Sequence, residues 1–340
     1  MVVSLLKANA LRAKYLTKEA YQNSRSKNLT AVVCSPTSGI GQACAIRLAE
    51  QGYNVIAIGR ERPGRAEAVK DQLTKASKTA LDGILSGKEE GNVVELPMHE
   101  FYPCDAFSLS SIQNTTKAIL QKHPVIDALV MTQGMATTQG FTPTPEGNDE
   151  KMTLHYYSRM AMIQGLLPGL RKSKNAPVVL SVLSGGVHSV YKHYKEDPLL
   201  KKHYSIANAA NAAGFYNDLC LDHYALDPRN TKISFIHSSP GFVNTNWGSE
   251  FGVVLRSMVR VLQPLGRKAS DCAEYLLGPT VFNVSHGGHL FKAKDEGGVY
   301  IYGENGQVKG LTKEHGKEAR EFIWAHTKQI MEKVGFEVDN

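Results

Sequence analysis

The stretch that decides the fold reads Cys34-Ser35-Pro36-Thr37-Ser38-Gly39-Ile40-Gly41. A short apolar, β-rich run, 30–34, leads into it, and residues 40–52 follow with the apolar spacing of a helix. A glycine-containing turn between a strand and a helix lets the backbone approach a phosphate closely, and the helix N-terminus supplies N–H groups and a positive dipole end. The stretch therefore predicts an α/β fold with a pyrophosphate-binding turn formed by Ser35, Thr37, Ser38, Gly39, Ile40 and Gly41.

Strands and helices alternate along the rest of the chain. The predicted strands are 30–34, 53–58, 92–96, 126–131, 178–183, 232–237 and 299–302, and the predicted helices are 40–52, 65–75, 109–122, 149–171, 204–225 and 313–334. Near-continuous apolar strands separated by helices are typical of a parallel sheet covered on both faces. We therefore expect a single doubly wound Rossmann domain over residues 29–340, with a parallel seven-stranded sheet and an exposed insertion at 80–91.

Two segments add basic and apolar residues to this pattern. Residues 1–28 hold six basic side chains and one acid, which predicts a basic helical segment. It is either docked on the domain, or it is a mitochondrial presequence or a membrane-surface helix. Residues 251–265 are mostly apolar and include Arg256 and Arg260, which predicts either a core-facing helix or part of a substrate-side lid at about 242–280.

Composition excludes several classes of protein. The chain has 340 residues, of which 42% are hydrophobic and 21% charged, as is ordinary for a globular protein. No apolar run approaches the ~18 residues that span a bilayer, so an integral membrane protein is not expected. The formal net charge of +7 suits phosphate-bearing ligands, but the basic residues are scattered and do not indicate nucleic-acid binding.

The cysteines indicate the compartment. There are five, an odd number, and no pair has C-x-x-C spacing. This argues against a disulfide framework and against a structural zinc site. We therefore predict no metal and a reducing, cytoplasmic location, with the mitochondrion as the less favoured alternative.

Further motifs follow along the chain in a fixed order. They are Arg60 at the end of the second strand, Cys104-Asp105, Met131-Thr132-Gln133-Gly134, Ser184 closing the fifth strand, Tyr204 opening a helix, and Pro240-Gly241-Phe242-Val243-Asn244-Thr245. Together with the glycine-containing turn, these motifs resemble the short-chain dehydrogenase/reductase family. The resemblance covers about residues 28–280, and the long spacing from Ser184 to Tyr204 is most similar to the retinol-dehydrogenase-like branch.

The resemblance implies roles for several of these residues. Ser184 would bind the substrate oxygen, Tyr204 would donate or accept the proton, and Asp105 would bind the adenine amino group. The other residues that it places around the cofactor are Gly134, Pro240, Gly241 and Thr245.

The end of the second strand indicates which cofactor is preferred. Arg60 and Arg62 stand there without an aspartate directly at the strand end. An acid at this point binds the ribose hydroxyl of NAD, whereas a guanidinium can bind a 2′-phosphate with two hydrogen bonds. The sequence therefore favours NADP(H), with NAD the less favoured cofactor.

Three positions depart from the family pattern. Ser35 replaces a turn glycine, so the turn needs a negative φ or a tolerated strain. His155 replaces an asparagine and is either a core histidine or a proton relay. Asn208 replaces the lysine of Y-x-x-x-K. Without that lysine, Tyr204 keeps a pKa near ~10 and is a poor base but a fair acid.

Other lysines could compensate for this loss. Lys201 and Lys202 could do so if the chain folds back onto Tyr204. A formal Y-x-x-x-K at Tyr191 and Lys195 lies in a predicted loop and is not favoured as the catalytic pair.

The sequence thus predicts an NADP(H)-dependent oxidoreductase that interconverts a carbonyl and an alcohol on an apolar small molecule. Ser184, Tyr204 and Asn208 would carry the chemistry, with Asn208 holding the ribose. The alternative is a nucleotide-binding protein without turnover that acts as a sensor or through a partner. Helices 149–171 and 204–225 could form a homodimer interface, although nothing in the sequence requires it.

Overall fold

A computed structural model describes residues 2–85, 95–246, 248, 251–292 and 297–338. Its strands are β1 (Thr30–Cys34), β2 (Asn54–Gly59), β3 (His99–Pro103), β4 (Ala128–Met131), β5 (Val178–Val182), β6 (Ser234–Ser238), β7 (Val243–Asn244), β8 (Arg267–Lys268), β9 (Tyr300–Tyr302) and β10 (Val308–Lys309). Eight of these strands form one sheet in the order β10-β9-β6-β5-β4-β1-β2-β3. Strands β7 and β8 pair separately.

The strand directions confirm the predicted α/β class. Seven strands pair in parallel, and the two-residue strand β10 adds an antiparallel edge to β9, so the sheet has one strand more than predicted. In register, Val32 of β1 pairs with Ile56 of β2 and with Leu129 of β4. The carboxyl ends of these strands therefore meet at one edge, where ligands bind in open parallel sheets.

Helices cover both faces of the sheet. They are α1 (Val2–Tyr15), α2 (Lys18–Ser26), α3 (Gly39–Glu50), α4 (Arg65–Leu85), α5 (Leu109–Lys122), α6 (Glu150–Met152), α7 (Ser158–Lys172), α8 (Ile206–Leu226), α9 (Val253–Leu262), α10 (Ala269–Leu277), α11 (Asn283–Ser285) and α12 (Lys317–Lys333). Single π-helical turns, Thr153–Tyr157 and Gly278–Phe282, join α6 to α7 and α10 to α11. No helix among the described residues is long and apolar enough to cross a membrane.

The core has two parts because successive strand residues point to opposite faces. Val32 and Cys34 belong to the core cluster that includes residues of α5, α7, α8 and α12, whereas Ala31 and Val33 belong to the cluster that includes α3 and α10. The helices considered above as a dimer interface are covered within the chain, α7 by α5 and α8 by α12.

The N-terminal segment lies as two helices against the face that carries α3 and α10. Arg12 of α1 binds Glu50 of α3 at 2.8 Å and Glu274 of α10 at 3.1 Å. Glu274 also binds the buried Arg47 at 2.7 Å. A shared carboxylate therefore connects α1, α3 and α10.

The third strand differs from its prediction. It spans His99–Pro103 instead of 92–96, and residues 92–94 lie outside the described part of the chain. The ring of His99 explains the position, because its Nδ1 accepts the N–H of Val55 in β2 and its Nε2 lies 3.0 Å from Ser77 Oγ in α4. Helix α4 correspondingly continues to Leu85, through part of the predicted insertion, and residues 86–91 are not described.

Candidate active site

The glycine turn, residues 34–41, is tight. Ser35 has a left-handed backbone with φ of 66°, and its N–H donates to the carbonyl oxygen of Ile58 at 2.9 Å. A Cβ on Gly41 would overlap the carbonyl oxygen of Ser35, so only glycine fits there. The serine is thus accommodated by strain, since a left-handed backbone costs a non-glycine residue roughly 1–2 kcal/mol.

The start of α3 is open to an anion. Its N-cap residue Ser38 is extended and makes no side-chain cap hydrogen bond, and the first turn contains no acid. The N–H groups of the first helical turn have no partner within the helix. Gly39, with φ of 58°, packs against Thr245, which brings the Pro240–Thr245 segment to the same point. A phosphate at this position would meet N–H donors and the positive end of the helix dipole.

Three arginines follow the carboxyl end of β2. Arg60 and Arg62 are exposed, and Arg65 at the start of α4 donates to the carbonyl oxygen of Arg60 at 3.0 Å. Partial burial and the charges of Arg62 and Arg60 lower the pKa of Arg65. We call Arg60, Arg62 and Arg65 the arginine group; the sequence analysis missed Arg65 because it lies one helical turn into the next element. Mutual repulsion within this group favours a bound anion.

The loops after β3 and β4 complete the cofactor side. Asp105 is exposed, and its Oδ1 accepts the N–H of Phe107 at 3.0 Å. Thr132 donates from Oγ1 to the carbonyl oxygen of Cys34 at 2.9 Å, which ties the ends of β4 and β1 together. Gly134 is exposed beside the ring of His155.

His155 accepts a backbone hydrogen bond. Its Nε2 lies 3.0 Å from the N–H of Met135, so the ring proton is on Nδ1. Burial, together with the positive charge of Arg159, lowers the pKa of His155 to about 3. This neutral ring fixes the loop after β4, as the core-histidine interpretation expects.

Arg159 is a buried cation that the sequence analysis did not single out. Its guanidinium donates to Ser181 Oγ at 2.7 Å, to the carbonyl oxygen of Val182 at 3.0 Å and to that of Gln133 at 2.6 Å. Burial lowers its pKa to about 9. Arg159 thereby joins the ends of β4 and β5 directly beneath the site.

Ser184 lies just beyond β5 with its hydroxyl unused. Its Oγ is buried and has no hydrogen-bond partner. Its N–H donates to His237 Nε2 at 3.1 Å, and its carbonyl oxygen lies 2.9 Å from His188 Nδ1. A Cβ on Gly214 of α8 would lie 2.5 Å from Ser184 Oγ, so Ser184 faces α8 at Gly214.

Tyr204 meets a lysine that the motif did not predict. Nζ of Lys151 in α6 donates to Tyr204 Oη at 3.0 Å and to the carbonyl oxygen of Gln139 at 2.6 Å. Burial and the charge of Asp149 raise the pKa of Tyr204 to about 12, and burial lowers the pKa of Lys151. Lys151 escaped notice because it precedes Tyr204 by 53 positions.

The other lysines considered for this role are occupied or distant. Lys201 and Lys202 are exposed, and their N–H groups donate to Asp197. The Tyr191 hydroxyl is buried against Asp197, whereas Lys195 binds Glu318 at the surface. The formal Y-x-x-x-K motif is therefore not a catalytic pair in this structure.

The structure does not bring Ser184 and Tyr204 together. Tyr204 precedes the first residue of α8, Ile206. Ser184 lies against Gly214, which is eight residues, or about 12 Å, further along the axis of this helix. Asn208 is engaged locally, since its Nδ2 donates to the carbonyl oxygen of His203 at 2.7 Å. The predicted catalytic residues thus occupy two separate places along one helix.

A cleft of about 460 Å³ opens beside the start of α3. Its walls come from α1, α3, α9, α10 and the segment after β7, and its lining includes Ser38, Gly39, Thr245, Arg260 and Gln263. Gly241, with φ of 68°, packs against Glu304, where a Cβ would not fit. The predicted residues Gly39 and Thr245 therefore border a single cavity.

Several known oxidoreductases are similar to this chain in sequence. No protein-family model matches the chain. It is 29% identical over 219 residues to an oxidoreductase with an NmrA-like family domain from Aspergillus sp., covering 64% of this chain and 61% of that protein. It is 26% identical over 323 residues to a short-chain dehydrogenase/reductase of Phaeosphaeria nodorum, covering 91% and 88%. Human retinol dehydrogenase 14 is 27% identical over 230 residues, covering 66% and 65%.

Solved structures share the fold. The 3-oxoacyl-[acyl-carrier protein] reductase of Brucella melitensis in complex with NAD has a TM-score of 0.51 at 18% identity, covering 76% of this chain and 90% of that chain.

Proposed function

We propose that the chain, which is similar to short-chain dehydrogenase/reductases, is an NADP(H)-dependent oxidoreductase that interconverts a carbonyl and an alcohol on an apolar small molecule. The observation that carries the proposal is the arginine group beside the open start of α3. The five cysteines are free and buried, which supports a reducing, cytoplasmic location.

The residues around the glycine turn fit a dinucleotide phosphate. The start of α3 would hold the pyrophosphate, the arginine group the 2′-phosphate, and Asp105 the adenine amino group. Gly134, Pro240, Gly241 and Thr245 would surround the nicotinamide half. When bound, the cofactor supplies or accepts a hydride.

Ser184 is the proposed contact for the reacting oxygen. A buried hydroxyl without a partner is unfavourable in a folded protein, because each such group loses its hydrogen bonds to water. A substrate oxygen that bonds to this hydroxyl removes the penalty.

Tyr204 with Lys151 is a second candidate for the chemistry, as a proton donor that lies apart from Ser184, so one reacting oxygen does not contact both side chains in this structure. The ammonium of Lys151 bonds to the phenol oxygen and stabilises the negative charge that remains after proton donation. With a pKa raised to about 12, Tyr204 stays protonated at neutral pH, so it is an acid rather than a base. The site therefore favours reduction of a carbonyl.

The substrate is proposed to be apolar because of exposed apolar side chains within 242–262. Phe242, just before β7, is 47% exposed, and Val253 and Val261 of α9 are each 76% exposed. Helix α9 also lines the cleft, through Arg260.

Cofactor titration tests the proposal. We expect NADPH to bind at least about tenfold more tightly than NADH, and Arg60→Ala to remove most of this preference, since a charged hydrogen bond contributes about 1.5–3 kcal/mol. Arg229→Ala removes a distant exposed arginine and is the matched control. Equal affinities for the two cofactors would refute the assignment of the arginine group.

A second candidate function follows from the separation of Ser184 and Tyr204. A chain that binds the nucleotide without turnover would act as a sensor or through a partner. Tyr204→Phe separates the two candidates. If the parent protein reduces any member of a carbonyl panel and the variant loses about 100-fold or more of that rate, the enzyme is established. NADPH binding without any turnover would favour the second candidate.

A further inference from the structure

A buried group of four side chains lies next to Ser184. This group, the Asp218 cluster, consists of Asp218, His188, His237 and His315. Asp218 is 3% exposed; its Oδ1 lies 2.5 Å from His237 Nδ1, and its Oδ2 lies 3.2 Å from His188 Nε2 and 3.3 Å from His315 Nε2. The cluster joins α8, β6, the loop after β5 and the short helix Lys313–His315. One buried carboxylate therefore faces three imidazole rings.

Two of the rings hold the main chain of Ser184. The N–H of Ser184 donates to His237 Nε2, and His188 Nδ1 donates to the carbonyl oxygen of Ser184. Since a carbonyl oxygen only accepts and an N–H only donates, His188 carries a proton on Nδ1. His237 is protonated on Nδ1, which faces Asp218. Both peptide groups of Ser184 are thus fixed by rings that share one carboxylate.

His188 is the cation of the cluster. Its Nε2 faces Asp218, and an ionised carboxylate only accepts hydrogen bonds, so both ring nitrogens carry protons. Burial opposes this charge, but the hydrogen bond to Asp218 and the carboxylate charge outweigh burial and raise the pKa of His188. Burial likewise opposes ionisation of Asp218, yet the surrounding rings, His237 first, hold its pKa well below the usual value.

A metal ion is the competing explanation. One ligand atom each from His188, Asp218 and His315 lies within 4.8 Å of the others. However, His315 Nδ1 accepts the N–H of Thr312 at 3.1 Å, so its proton is on Nε2. His315 therefore presents a proton to the centre instead of a lone pair, which leaves only His188 and Asp218 as ligands. Two protein ligands are fewer than the three or four of zinc sites, so the hydrogen bonds favour an ion pair over a metal site.

Gly214 allows Ser184 and His188 to lie close to α8. A Cβ there would overlap the ring of His188 and lie 2.5 Å from Ser184 Oγ. The absence of a side chain allows both groups to approach the helix that carries Asp218.

We propose that Asp218 and His188 are positioning residues that, with His237, fix the Ser184 peptide so that its hydroxyl meets the reacting oxygen. This inference rests on the proposed function, in which Ser184 contacts the substrate. Ser184 Oγ has no partner of its own to orient it. Its direction is therefore set by the main chain, and the main chain is set by the two rings.

Nitrogen-15 spectra of the histidine rings in the full chain test the ion pair without turnover. We expect His188 to be protonated on both nitrogens at pH 7, and Asp218→Asn to make it neutral. The signals are assigned with His188→Asn, which keeps a donor near Ser184. A neutral His188 in the parent protein overturns the proposal, as does one equivalent of zinc retained after purification.

Kinetics test the positioning role. We expect Asp218→Asn to lower kcat about 100-fold, since a small misplacement of a contacting group has this effect, while KM changes less than about twofold. If Asp218→Asn does not fold, the double variant His188→Asn, Asp218→Asn removes both charges together and is measured instead. His326→Gln is the matched control, a half-buried histidine on α12 whose Nε2 lies 2.8 Å from the Tyr157 hydroxyl and which is not part of the Asp218 cluster.

An equal loss of kcat in the control and in Asp218→Asn would assign the effect to general destabilisation and overturn the proposal. If the parent protein shows no turnover with any substrate, the proposed function is wrong. The histidine spectra would then still test whether Asp218 and His188 form an ion pair.

Discussion

The glycine turn and the Ser184 region differ in how far apart in sequence their partners lie. Residues 34–41 form one continuous turn that bonds to the neighbouring strand β2, and Thr132 and Thr245 join it from elsewhere in the chain. Ser184, in contrast, depends on His237, 53 positions away, and through it on Asp218. A local motif can be recognised from its spacing, whereas a site assembled from distant segments cannot.

The two regions also treat charge differently. The arginine group is exposed and repels itself, as suits a ligand that brings negative charge. Around Ser184 the charges are buried and paired, because Asp218 and His188 neutralise each other. Salt should therefore weaken cofactor binding far more than it disturbs the Ser184 region.

Replacing Lys151 is expected to have the largest effect, a fall in the reductase rate. Lys151→Met removes the ammonium from Tyr204 Oη, and a charged hydrogen bond is worth about 1.5–3 kcal/mol, so the reductase rate should fall roughly 10- to 100-fold. Steady-state rates at saturating NADPH measure this change. Lys201→Met is the matched control because its side chain is exposed. A larger loss in the control would place the proton chemistry elsewhere.

The second prediction concerns pH and His155. Its pKa is lowered to about 3 by burial and by the charge of Arg159, so the folded state holds a neutral ring. In the unfolded chain, the His155 ring binds a proton below pH ~6.5. The stability that the neutral ring contributes is therefore complete above that pH and is lost as the pH falls towards 3.

Because of His155, the free energy of unfolding should be about 2 kcal/mol lower at pH 5 than at pH 7. Urea unfolding at pH 7 and pH 5 measures it, and His155→Gln should reduce the difference between the two values. An unchanged difference in the variant would mean that other histidines cause the loss.

The smallest expected effect is a gain in stability from Ser35→Gly. Glycine adopts φ of 66° without steric cost, and the gain should be about 1 kcal/mol after the added entropy of the unfolded chain is subtracted. Urea unfolding measures the gain. Ser38→Gly is the control, because Ser38 has φ of −165° and carries no such strain. Equal responses at the two positions would show that the turn is not strained.

The sequence was sufficient for the sheet and the glycine turn because both are encoded locally. Periodicity located six of the seven parallel strands, and the error at β3 arose because its residues are only half-buried, so they lack a continuous apolar run. Lys151, Arg159 and the Asp218 cluster could not be found this way. Their roles come from contacts between segments that the fold brings together.

The departure at Asn208 illustrates the same limit. From the motif, the missing lysine left Tyr204 without a cation. In the fold, Lys151 reaches the Tyr204 hydroxyl from another helix. A positive charge therefore lies beside Tyr204 although the lysine of the motif is missing. The burial of Ser184 Oγ beside Gly214 likewise had no signal in the sequence.

The pairing of β7 with β8 has a practical consequence. Val243 lies beside Arg267 and Asn244 beside Lys268, so the ends of the intervening segment, which contains α9, meet on a short ladder outside the main sheet. A segment whose ends are adjacent can be exchanged without altering the frame that holds it. Replacing residues 246–266 with those of relatives would therefore change the segment that carries α9 while Thr245 stays against the glycine turn.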